Sequence, residues 1–172
     1  MEKVVSRGLL TAYLAILVWL VLFKFSFNIP SILDHHKRSL NVIPFAAPSI
    51  VNGGTNFGEI AYNCIFFIPF GVLLNINFKG VRFLPKLASI LVFSLTAELT
   101  QFIFAIGATD ITDVITNTVG GFLGLHLYCF GRAYINDEKL NRVVIAIGTL
   151  LLVVFLAMIA THFGPFRSRG IR

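Results

Sequence analysis

Residues 143–163 read VVIAIGTLLLVVFLAMIATHF, a run without a single Asp, Glu, Lys or Arg. An α-helix needs about 20 mostly apolar residues to cross the hydrocarbon core of a bilayer, where its backbone polar groups must be satisfied internally. Four more apolar runs of similar length lie near residues 8–27, 59–78, 86–106 and 111–131, separated by charged or Pro/Gly-containing joints. This repetition predicts an all-α, integral membrane helical bundle of about five transmembrane helices, forming one membrane domain over residues 1–172. Composition agrees. An apolar fraction of 56% with only 13% charged residues, and a mean hydropathy of +0.84, are far from those of a soluble domain.

The first run begins with Lys3 and Arg7, as a secretory signal would. It continues past Trp19 to Phe27 with no small-x-small cleavage site behind it, so an uncleaved helix is expected. Lys24 near its end is tolerable because a lysine stem reaches the interface. Basic residues orient such bundles, since they tend to stay on the cytoplasmic side. With the N-terminus inside, the inner segments hold Lys3, Arg7, Lys79, Arg82, Lys86, Arg132, Lys139 and Arg142, against Lys37, Arg38, Arg167, Arg169 and Arg172 outside. The net charge of +6 then reflects topology and anionic lipid. No basic run with interleaved aromatics suggests a nucleic-acid partner. Cys64 and Cys129 fall inside predicted helices, too isolated for a metal or redox motif.

The short joints predict that consecutive helices lie antiparallel. The one long connection, residues 28–58, is rich in Asn, Pro and Gly and carries the apolar patch Val42, Ile43, Pro44, Phe45. It is expected to form an outer lid, a re-entrant segment or a solvated loop.

The polar residues inside the apolar runs are the informative ones. Glu59 and Asn63 lie one turn apart at the start of the second helix, which also contains Pro69 and Gly71. On the third, Ser94, Glu98, Gln101 and Ala105 recur at offsets that make one small, polar stripe facing protein instead of lipid. Glu98 falls about 12 Å below the helix end, a depth at which a carboxylate must be protonated, paired or beside water. The fourth helix opens with Thr109 and Asp110 as possible caps. At about 100° per residue, Asp110, Asp113, Asn117, Gly120, Gly121 and Gly124 fall within an arc of about 100°. The polar top of that stripe therefore runs straight into a Gly120-x-x-x-Gly124 pair, which lets another helix approach closely and offers an oligomer contact.

Chemistry at this cluster is open on residues alone. Hard oxygen ligands from Glu98, Asp110 and Asp113 would suit a divalent cation, but no ligand spacing identifies one. Asp113 and Glu98 would also suit acid/base work on a lipid-linked substrate, although no nucleophile pair is evident and His35, His36, His126 and His162 do not cluster with the acids. The sequence assigns no catalytic residue, no metal and no cofactor.

Four motifs in order, NVIPF at 41–45, NCIFFIPFG at 63–71, ELTQ at 98–101 and DITDVITNTVGGFLG at 110–124, resemble the VanZ-like family of small bacterial membrane proteins. The resemblance covers about residues 41–128 and leaves 143–163 as an extra transmembrane helix. It marks Asn41, Pro44, Phe45, Asn63, Pro69, Gly71, Glu98, Gln101, Asp110, Asp113, Asn117, Gly120 and Gly124 as matching positions. Many relatives carry an Arg shortly before the aspartates, where this chain has Ala108 and Thr109; Lys24 is one replacement as counter-cation. The resemblance implies a cell-envelope role related to low-level resistance to teicoplanin, a lipid-tailed glycopeptide, with membrane lipid and a lipid-linked wall precursor or the glycopeptide as partners. The expected site is a polar cluster of Asn41, Glu59, Asn63, Glu98, Gln101, Asp110, Asp113 and Asn117, with Pro44, Phe45, Pro69, Gly71, Gly120 and Gly124 in structural roles. An enzyme modifying a polyprenyl-linked substrate, or a helix-packing partner of an envelope complex, are the alternatives.

Overall fold

A computed structural model describes residues 2–23, 39–45, 57–106 and 108–163. Five long helices carry the fold: α1 (Glu2–Phe23), α2 (Phe57–Asn77), α3 (Phe83–Phe104), α4 (Ile111–Tyr134) and α5 (Asp137–Phe163). Two three-residue strands, β1 (Ser39–Asn41) and β2 (Ala108–Asp110), pair parallel, with Asn41 opposite Asp110. Lys24 and most of the 28–58 connection lie outside the described residues.

The chain is an integral membrane helical bundle. α1, α3, α5 and the Gly58–Asn77 stretch of α2 are long and apolar enough to cross a membrane. α4 falls short on composition because of its polar first turns, yet at 24 residues it is about 36 Å long and runs beside α2. Side-chain pairs fix the directions. Ser6 bonds Asn77, and Arg142 bonds Glu2, so the starts of α1 and α5 share one end with the finish of α2. Lys79 and Arg132 both reach Asp137, which places the finish of α4 there too. This is the basic end. The opposite, acidic end gathers Asn41, Asn63, Glu98, Asp110 and Asp113.

The most extensive helix contact joins α2 and α4, which run parallel although α3 separates them in sequence. Short joints do make α3 an antiparallel neighbour of α4, but the tightest packing is set by glycine. A Cβ on Gly120 would meet the carbonyl of Cys64, one on Gly124 the carbonyl of Ile68, and one on Gly71 the carbonyl of Gly121. Backbone therefore lies on backbone along the seam. The face expected to offer an oligomer contact through Gly120 and Gly124 is filled by α2 of the same chain. Around the seam, Phe67, Phe70 and Phe93 pack in edge-to-face and tilted pairs with centroids 5.3–6.2 Å apart, and Ile90, Leu125 and Leu17 are fully buried beside them.

α2 runs unbroken through Pro69, whose missing N–H leaves the Ile65 carbonyl without its helical donor. On the neighbouring carbonyl, Phe66, the Tyr13 hydroxyl of α1 donates at 2.6 Å and ties α1 to this turn. α5 stands apart. No residue in its most apolar stretch is buried, and it touches α1 through Gly148 against Leu9 and through an edge-on Trp19–Phe155 pair. Its exposed Leu, Val and Ile surface is what lipid would cover.

Gly120→Ala should destabilise the purified protein by about 1–3 kcal/mol or more, because the new methyl meets backbone that cannot rotate away. Gly8→Ala meets nothing within 4 Å and should leave stability equal or up to about 1 kcal/mol higher through helix propensity. Thermal scans in detergent would compare the two, and equal melting would contradict the seam.

Candidate functional site

The acidic end is assembled by three elements converging on the start of α4. α3 ends at Ala105, which takes the left-handed conformation at φ 52° and lets its own N–H and that of Ile106 satisfy the last carbonyls of the helix. The chain then enters β2. Asp110 caps α4, its carboxylate accepting the Thr112 N–H at 2.7 Å. The same carboxylate accepts from Asn41 Nδ2 at 3.0 Å, while Asn41 Oδ1 accepts the Ile43 N–H at 3.1 Å and folds residues 41–45 into a turn. That turn ends on Phe45 at φ 56°, whose N–H donates to Thr112 Oγ1 at 3.0 Å. Asn41 and Phe45 are thus clamped to the cap of α4.

The carboxylates deeper in the cluster are buried. Glu98 is 3% exposed and Asp113 6%. Glu98 Oε2 accepts the Asp110 N–H at 3.0 Å, and its backbone carbonyl accepts from Thr109 Oγ1 at 3.2 Å. Asp113 Oδ1 accepts from Asn63 Nδ2 at 2.7 Å, a charge-assisted bond when Asp113 is ionised. Below them Asn117 Nδ2 donates to Ser94 Oγ at 2.9 Å. Gln101 Nε2 donates to the Val21 carbonyl at 3.0 Å and so ties α3 to the last turn of α1. Asn117 Oδ1 and Gln101 Oε1, both fully buried, accept nothing among the described residues. They remain available to a hydroxyl or amide donor.

The stripe Ser94, Glu98, Gln101, Ala105 is buried along its whole length, as its spacing predicts. Asn41, Asn63, Glu98, Asp110, Asp113 and Asn117 come to the same end, Gln101 docks α1 there, and Glu59 lies half-buried one turn above Asn63. Pro44 and Phe45 belong to the turn, and Val42, Ile43 and Phe45 are 53–67% exposed, so this patch lies on the surface of the acidic end. Thr109 and Thr112, which no helical stripe marks in the sequence, tie the cap to α3 and to the turn. Their only signal was position in TDIT, where hydroxyls beside a capping Asp serve local backbone groups. Among the described residues, no three His, Cys, Asp or Glu side chains are grouped so as to hold a metal ion.

The sequence profile of VanZ/LLP1 matches residues 10–132, well over half of the chain. This protein belongs to the VanZ/LLP1 family. Protein VanZ of Enterococcus faecium is 60% identical to it over 156 residues, covering 91% of this chain and 93% of that relative. No solved structure matches. The four VanZ-like motifs thus acquire a physical meaning: NVIPF is the clamped turn, NCIFFIPFG and the glycines of DITDVITNTVGGFLG are the two sides of the seam, and ELTQ supplies Glu98 and Gln101 of the buried stripe.

Asn63→Leu removes the amide donor to Asp113 Oδ1 from a buried site. It should lower stability by about 1–3 kcal/mol, more if Asp113 is charged. Denaturant titration in detergent would read the loss, and wild-type stability would show that the bond carries no weight.

Proposed function

We propose that this VanZ-family protein lies in the bacterial cytoplasmic membrane with its N-terminus inside, and that its acidic end binds a lipid-linked wall component or a lipophilic antibiotic. The outcome would be low-level resistance to teicoplanin. The observation that carries this reading is the coincidence at one end of the bundle of buried carboxylates, amides with free acceptors and an exposed apolar turn. Buried carboxylates in a membrane helix are costly and commonly mark a site. Val42, Ile43 and Phe45 would lie against an acyl or polyprenyl chain while the amide oxygens of Asn117 and Gln101 take a hydroxyl or amide of the head. An acid-lined end repels phosphate, so a phosphorylated ligand would need a bridging cation or a protonated carboxylate.

Orientation is supported by the other end of the bundle, where Lys3, Arg7, Lys79, Arg82, Lys86, Arg132, Lys139 and Arg142 collect. It is tested with Leu40→Cys in a background lacking Cys64 and Cys129. Leu40 is 59% exposed at the acidic end, so an impermeant thiol reagent should label it on intact cells. Labelling only after lysis would reverse the orientation.

The functional reading is tested by producing wild type, Asp113→Asn and Glu98→Gln at equal level in a susceptible host. Wild type should raise teicoplanin tolerance and both variants should lose most of the gain, with vancomycin as comparison. No change with any version would sink the resistance reading. Mass spectrometry of the lipid-linked precursors should find them unmodified; a modified precursor dependent on Asp113 would replace binding with catalysis.

A further inference from the structure

At the basic end, α1, α2 and α5 enclose a cleft of about 370 Å³. Part of its lining is a closed polar pair: Ser6 Oγ donates to Asn77 Oδ1 at 3.0 Å, and Asn77 Nδ2 donates back to the Ser6 carbonyl at 3.2 Å. The charges around it divide into two sets. Glu2 and Glu138 are engaged by Arg142 at 2.8 and 3.8 Å, and Lys79 by Asp137 at 3.1 Å. Lys3 and Arg7 also line the cleft, yet neither has an ion-pair partner among the described residues. On α5, Asn141 accepts the Tyr128 hydroxyl at 2.8 Å through Oδ1, and its Nδ2 donates to no described residue.

The cleft thus presents an ammonium, a guanidinium and an amide donor without partners among the described residues, beside apolar surface from Ile76 and Ile145. Arg and Lys together suit phosphate oxygens, the Arg fork supplying two parallel donors. Depth points to the source of that phosphate. Arg7 lies five positions beyond Glu2, about 7–8 Å along the helix axis, which matches the headgroup layer of a bilayer. Below it the loosely packed flank of α5 leaves apolar surface for chains to follow.

We propose that this cleft holds the phosphate of an anionic phospholipid in the leaflet facing the basic end, with Lys3 and Arg7 on its oxygens and Asn141 donating to the head. The lipid would wedge α5 against α1 where direct packing is sparse. The site is separate from the acidic end and independent of the function proposed there.

The test uses the full chain, purified in neutral detergent and given equal amounts of phosphatidylglycerol and phosphatidylcholine, with retained lipid read by native mass spectrometry. Wild type should retain phosphatidylglycerol in preference. Lys3→Gln with Arg7→Gln should weaken that retention about thirtyfold, the effect expected for two lost cations at an anionic surface. Lys3→Arg with Arg7→Lys should preserve it, as should Lys139→Gln, which is exposed at the same end but outside the cleft. Circular dichroism confirms that each variant is folded. Equal retention of the two lipids, a double Gln variant that binds like wild type, or an equal loss with Lys139→Gln would overturn the proposal. Inorganic phosphate in excess should not displace the lipid; displacement would assign the cleft to a soluble phosphate and overturn the lipid source.

Discussion

The carbonyl oxygens of Cys64 and Ile68 occupy the space where residues 120 and 124 would otherwise carry a side chain. Everything at the acidic end depends on this contact. In a bilayer the hydrophobic effect does little to press one apolar helix against another, so close van der Waals packing must supply the attraction. Glycines on both α2 and α4 make that possible over the length of the seam. With α4 held there, its polar first turns are enclosed by α2 and α3, Asn63 is brought within bonding distance of Asp113, and Asn117 within reach of Ser94.

This explains how α4, with Asp113 and Asn117 in its first two turns, belongs to a membrane bundle at all. Asp113 is bonded from α2 and Asn117 donates to α3, and the buried face of α4 lies against those helices. Its other face, with Val119, Phe122, Leu123, Leu127 and Phe130 exposed, shares the lipid-facing surface with the other helices, and α5 is exposed most completely. The division of labour matches composition: the most apolar helix buries least, and the polar face of the least apolar one is turned inward.

Much of this was legible in the sequence because it has a period. The Ser94, Glu98, Gln101, Ala105 stripe and the arc from Asp110 to Gly124 are helical spacings, and a helix keeps such residues on one face whatever packs against it. The cap at Asp110 was equally readable, since it is a local arrangement. What the sequence could not disclose was which helix receives the glycines: Gly71 reads as one small residue near a proline until α4 is laid beside it. The β1–β2 pairing was hidden for a stronger reason. Three residues on each side carry no periodicity, and Ser39 and Ala108 meet only after two intervening helices have been placed. Lys86 reads as one more inner-end positive charge, whereas it is buried and bonds Asn75 at 2.6 Å.

The parallel pairing of β1 with β2 also sets an order of assembly. An antiparallel hairpin closes as soon as its turn is made, but these strands are joined through the whole of α2 and α3, and the Asn41–Asp110 bond spans 69 positions. During synthesis the turn at residues 41–45 has no surface to dock on until Asp110 and Thr112 have emerged. Asn41, Asn63 and Glu98 therefore wait, without these partners, for the arrival of α4. The clamp on the cap is a late closure, and it records that the fourth helix has been delivered in register.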